Sequence, residues 1–175
     1  MHAADAALSS EPRGSFMSVN TIWTILLISH GLLAVALLGA ITHQAVAVAM
    51  PVRATAGGFI ARFRSVPPTA YATAIVILYA VTALMGAWIY VKYRVYVRIP
   101  LEQLQYWKTH AAFEMKEHVV AIGLALLPAY WYFWKQPPKG DYVGVRNALT
   151  MLLAVIVWYG FLVGHVVNNV RGFGS

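Results

Sequence analysis

The fold class this sequence predicts is all-α: an integral membrane four-helix bundle with both termini on the same side. Apolar residues make up 60% of the 175-residue chain and charged residues only 11%, against soluble averages of about 45–50% and 25%. Reading between charged residues leaves four uncharged runs, residues 14–52, 65–91, 118–134 and 147–170. A helix needs about 20 apolar residues to cross a bilayer, with a range of about 17–25, so all four qualify, the third only just. An even number of spans puts the two termini and the second loop together, on what is called here the terminal side.

Residues 1–17 mix Ala, Asp, Ser, Pro and Arg without apolar periodicity, and a disordered N-terminal tail is expected there, His2 included. The stretch from Met17 resembles a natural start, with the upstream residues as an extension. No cleaved signal peptide is expected, because no compact basic region precedes a short apolar stretch with a small-residue cleavage site. The membrane domain is expected over residues 18–171, with helices at about 20–50, 68–92, 102–135 and 146–170. The third helix ends in the aromatic run Tyr130, Trp131, Tyr132, Phe133 and Trp134, which fits an interfacial belt before Lys135, Pro137 and Pro138. Residues 91–99 alternate apolar with mostly basic side chains, the pattern of an extended strand whose edge would need a partner; a basic collar on the second helix is the plainer alternative.

The chain has no cysteine, which excludes disulfides, thiolate iron–sulfur ligation and a covalently attached c-type haem. Its net charge of +7 is spread over loops: Arg53, Arg62 and Arg64; then Lys92, Arg94, Arg98 and Lys108; then Lys135, Lys139 and Arg146. Such scattered cations suit anionic lipid head groups, and no nucleic-acid partner is expected. Lys and Arg are nearly balanced between the two sides, so the positive-inside rule does not set the orientation.

Five of the six histidines, His30, His43, His110, His118 and His165, lie in or at the ends of the uncharged stretches and carry most of the functional signal, because an ionisable side chain within a span is costly without a ligand, a proton partner or water. His30 lies in the terminal-side half of the first helix, His118 opens the uncharged part of the third and His165 falls near the end of the fourth. At about 1.5 Å per residue these three are expected to share one layer. His43 follows His30 by thirteen residues, a turn of about 220°, so the two point apart and a two-haem stack on the first helix is disfavoured. The second helix contributes no histidine and is expected only to pack.

The third helix carries the densest chemistry, with His110, Glu114, Glu117 and His118 on one face and Lys116 pointing away. Ala121 and Ala125 continue that face and would leave space beneath His118 for a flat macrocycle, while Pro128 should kink the helix. Gly160 and Gly164 form a small-x-x-x-small pair before His165 that admits a helix or a cofactor. Trp158 and Asn169 stand on the His165 side, and Trp23, Ala34 and Leu37 on the His30 side. An alternative for His110, Glu114, Lys116 and Glu117 is the solvated start of a long helix.

Bis-imidazole ligation of haem b needs two histidines from facing helices, small residues where the ring enters and basic groups for the propionates. His30, His118 and His165 are the ligand candidates, His110 lies further out, and Arg94, Arg98 or Lys108 could meet propionates. On these residues the chain resembles small four-helix b-type cytochrome membrane subunits that anchor or wire respiratory complexes. The resemblance implies electron transfer between a partner protein and quinone or another carrier, within a complex of the bacterial inner (cytoplasmic) membrane. The alternatives are a non-haem metal ion held by the carboxylates and histidines of the third helix with His30 or His165 opposite, and a cofactor-free structural or assembly subunit. No Walker motif, His-Glu-x-x-His, Ser–His–Asp order or dinucleotide fingerprint occurs, so no catalytic residue is expected on this chain alone. Expected partners are the bilayer, protein subunits or a second copy, and quinone.

Overall fold

The computed structural model describes residues 13–50, 58, 67–137 and 140–170, the side chains of 13–20 and 141 excepted. Most of the expected tail, together with His2, Arg53, Arg62, Arg64 and Lys139, lies outside the described residues. All regular structure among the described residues is helical. Helix α1 spans Arg13–Ala49, α2 Pro68–Tyr93, α3 Trp107–Lys135 and α4 Asp141–Val170.

Local chemistry sets the ends. Pro67 and Pro68 precede or open α2, where a missing N–H leaves no helical bond unmade. Pro51 follows α1 in the sequence and disfavours helix at the residue before it. Helix α2 does not stop at its basic end: it continues through a π-helical turn, Arg94–Arg98, into a last α-helical stretch, Ile99–Gln103. The strand expected over 91–99 is therefore corrected to helix. Pro100 cannot donate to the preceding turn, and the ladder widens just before it. The alternating pattern is resolved as one buried stripe, with Tyr93, Val97 and Leu101 inward at helical spacing. The extension ends in a left-handed cap, Gln105 at φ 60°, with Tyr106 N–H donating to the Leu101 carbonyl at 2.9 Å.

Helix α1 packs on α2 and α4, and α3 packs on the same two neighbours. The middle of α1 and the C-terminal part of α4 line a common cavity. One apolar core, away from the termini, joins Ile41, Ile75, Leu127, Tyr130 and Leu153. A smaller one at the terminal side joins Tyr93, Val97, Leu101 and Val167. The larger core carries a polar clasp: Tyr130 donates its hydroxyl to Gln44 Oε1, and Gln44 Nε2 donates to the Pro68 carbonyl at 2.9 Å. Trp134 Nε1 donates to Thr150 Oγ1 at 3.1 Å across α3 and α4. Such bonds fix axial register where apolar packing alone would let helices slide.

The outer surface is as apolar as the interior. Leu32, Leu84, Trp88 and Val91 are each about two-thirds exposed, a distribution that calls for lipid. Three stretches are long and apolar enough to cross a membrane, Thr21–Ala49, Pro68–Gln103 and Tyr142–Val170. Helix α3 is not among them: its first third carries Lys108, Glu114, Lys116 and Glu117, and its uncharged remainder, 118–134, is diluted by His118, Pro128 and a Tyr and Trp run.

Candidate functional site

Between the two cores lies a cavity of about 450 Å³ walled by all four helices. It exists because the residues facing it are small: Gly31 and Ala34 from α1, Ala83 and Gly86 from α2, and Gly160 and Gly164 from α4. A Cβ added at Gly31 or Gly164 would meet nothing within 4 Å, whereas one at Gly160 would stand 3.3 Å from Val120 Cγ2. The glycine pair of α4 thus does two jobs, admitting α3 at one position and leaving space at the other.

Polar groups converge on this cavity. His30 Nδ1, Thr82 Oγ1 and Tyr93 Oη are buried without a hydrogen-bond partner, and all three residues line it. An unsatisfied buried donor or acceptor costs about 1–3 kcal/mol, so three in one cavity mark a place built for something polar. The His30 ring also stands close to the main chain of Thr82. Lys116 and Glu117 enter from α3 as an ion pair at 2.6 Å, with the Lys116 ammonium 4.1 Å from the centre of the Phe113 ring. His165 lies parallel to Phe161 with ring centroids 6.3 Å apart.

At the terminal rim, an ionic cluster abuts the wall. Tyr90 Oη donates to Glu114 Oε1 at 3.0 Å, and Arg98 Nε bonds Glu102 at 2.8 Å while its Nη1 stands 3.9 Å from Glu114. His110 Nε2 lies 3.5 Å from Glu102 and 3.9 Å from Glu114. Tyr93 stacks on Phe113 with centroids 3.9 Å apart.

Of the histidines expected in one layer, His30 and His165 share the cavity and His118 does not. The His118 ring is exposed and pairs with its own helix through the Glu114 carbonyl at 2.8 Å. Ala121, Ala125 and Pro128 are exposed with it, so the space expected beneath His118 is outside the helix assembly. His110 belongs to the rim cluster, Arg98 is taken up by Glu102, and Arg94 is exposed away from the cavity lining. His43 stacks on Tyr71 at 4.7 Å, apart from this cavity. Ala34 and Leu37 do line the His30 side, but Trp23 sits 5.1 Å beneath the Lys92 ammonium instead. The α4 amide at the cavity is Asn168 rather than Asn169, and Trp158 donates to Thr42 at 3.0 Å on another face.

Two expectations are reversed. Lys116 lines the cavity instead of pointing away, and α2 supplies Thr82, Gly86, Tyr90 and Tyr93 rather than packing alone. A signal for α2 is present in the sequence, since Tyr79, Thr82, Gly86, Tyr90 and Tyr93 recur at intervals of three and four.

Among the described residues, no group of three or more His, Cys, Asp or Glu side chains is placed to hold a metal ion. No family model matches the chain, and comparison with curated proteins and with solved structures finds no match either. What fold and site define is an apolar helical protein with three candidate membrane spans and a polar-lined cavity between its helices.

Proposed function

We propose that the chain is a four-span membrane subunit that holds haem b between His30 and His165 and passes electrons between a partner protein and quinone or another carrier. The observation that carries this is the meeting of two histidines from separate helices on one cavity floored by glycine and alanine. The His30 Nδ1 is buried and left without a partner, a ring nitrogen available to a metal. Haem would bring most of its iron's donors with it, so two histidines would suffice to hold it, whereas a non-haem ion would need a larger protein donor set than the described residues gather.

Lys116 is the residue proposed to meet a propionate, in place of Arg94 and Arg98, because it is the ammonium on the cavity wall. Its pairing with Glu117 and its seat over Phe113 hold it there. Haem bound here would supply one-electron redox chemistry. The chain would orient it and meet the bilayer with its apolar surface, in a bacterial inner membrane complex. Helix α3 crosses as the fourth span on its uncharged run of residues 118–134.

Haem content tests this. Protein purified in mild detergent after expression with added haem precursor should yield one haem b per chain by pyridine haemochrome. A colourless protein would overturn the proposal, and retained metal by elemental analysis would then separate a non-haem site from a structural subunit.

A further inference from the structure

We infer that Arg146 and Lys135 form a binding site for one anionic phospholipid, with the Arg146 guanidinium on the lipid phosphate and Lys135 beside the head group. The site lies at the end of the bundle opposite the ionic rim and is independent of the cavity and of what fills it.

Three hydrogen bonds gather the ends where α1 and α3 finish and α2 and α4 begin: Gln44 to Pro68, Tyr130 to Gln44 and Trp134 to Thr150. Arg146 stands at this end, one residue before the uncharged run 147–170, at the depth where hydrocarbon gives way to head groups. Its guanidinium lies 4.4 Å from the centre of the Trp134 ring. That ring is held in place: Trp134 is buried, its Nε1 donates to Thr150 Oγ1 at 3.1 Å, and Thr150 donates in turn to the Arg146 carbonyl at 2.8 Å. The tryptophan that seats the cation is thus tied to the helical turn that carries it.

The seat lacks an anion. Arg146 Nε is buried with no hydrogen-bond partner, and among the described residues no carboxylate pairs with the guanidinium. A charge left uncompensated in a half-buried site is costly. Lys135 follows Trp134 directly, its ammonium 5.6 Å from the centre of the exposed Trp131 ring, and it too makes no ion pair among the described residues. The sequence supplies the reason: residues 50–67 and 135–146 hold six of the thirteen Lys and Arg but one of the six Asp and Glu, Asp141.

A lipid phosphodiester is the anion always at hand at that depth, and its oxygens match the planar N–H fork of arginine. Basic pockets between spans hold such groups. The shortage of acids also selects among head groups. A choline ammonium would be brought among cations with no carboxylate to meet it, whereas a glycerol head group adds no positive charge. Trp131 and Tyr132, both exposed, give the site an interfacial flank.

The experiment is native mass spectrometry of the full chain from detergent with equimolar phosphatidylglycerol and phosphatidylcholine, for wild type, Arg146→Gln and Arg94→Gln, the last an equal loss of charge at the other end. Wild type is expected to retain one phosphatidylglycerol in preference to phosphatidylcholine by roughly 10–100-fold, the worth of a charge-assisted bond. Arg146→Gln should lose that preference and Arg94→Gln should keep it. Equal retention of the two lipids by wild type, or an unchanged preference in Arg146→Gln, would overturn the inference. Inorganic phosphate displacing the lipid would also overturn it, by reassigning the seat to a soluble anion. If Arg146→Gln does not assemble, Arg146→Lys and Lys135→Gln decide: a weakened preference in both supports the site, and an unchanged one in both overturns it. Haem content plays no part in this readout, so a protein without haem tests the lipid site equally well.

Discussion

The His30 imidazole occupies the space that a side chain at Gly86 would need: a Cβ at that position would stand 3.2 Å from His30 Cε1 and 3.8 Å from Nε2. The glycine of α2 therefore sets how the histidine of α1 sits in the cavity. Gly86→Val is expected to push the ring from its seat and weaken cofactor retention by roughly 10–100-fold, the range for disturbed ligand supports. Gly86→Ala, which needs only a few tenths of an ångström of give, should do much less. Haem-to-protein ratio, with far-ultraviolet circular dichroism to verify helix content, checks both.

Gly123 has the same relation to Tyr79 in a tighter form. A Cβ there would fall onto the Tyr79 hydroxyl, 2.7 Å from Cζ and 3.0 Å from Ile156 Cγ2. Tyr79 is buried and its hydroxyl donates to the Val120 carbonyl at 2.9 Å, which leaves it little room to retreat. Gly123→Ala is expected to destabilise the protein by about 1–3 kcal/mol, the usual cost of overpacking. A lower thermal midpoint in detergent is the readout.

The clasp between Tyr130 and Gln44 lies in the core remote from the cavity, with both side chains fully buried. Tyr130→Phe leaves Gln44 Oε1 without its donor, and a loss of about 1–2 kcal/mol is expected. Because Tyr130 and Gln44 do not line the cavity, the haem spectrum should be unchanged while the thermal midpoint falls. A changed spectrum with unaltered stability would contradict the division into a packing end and a cofactor end.

Much of the helical frame can be read directly from the chain, because uncharged runs of bilayer length leave few alternatives to helix. The extension of α2 cannot. Basic and apolar residues alternating over 91–98 match a two-residue period, and only burial of Tyr93, Val97 and Leu101 together decides for helix. That His30 and His165 reach one cavity is legible from their depth along the helices. His118 misleads because the densest polar chemistry on α3 suggests a functional face, whereas the inward face is set by Phe113, Lys116, Val120, Gly123 and Leu127. In that helix the charges divide, with Lys116 and Glu117 on the cavity and Glu114 and His110 in the rim cluster, and Gly123 marks where another helix comes close.

The pairing of His30 with His165 is tested most directly by reduced-minus-oxidised visible spectra of the purified protein beside His30→Ala, His165→Ala and His118→Ala. The wild type is expected to show the sharp reduced band of six-coordinate haem b, lost in the His30 and His165 variants and kept in the His118 variant. A band lost with His118 but kept without His30, or no band in the wild type, would contradict it.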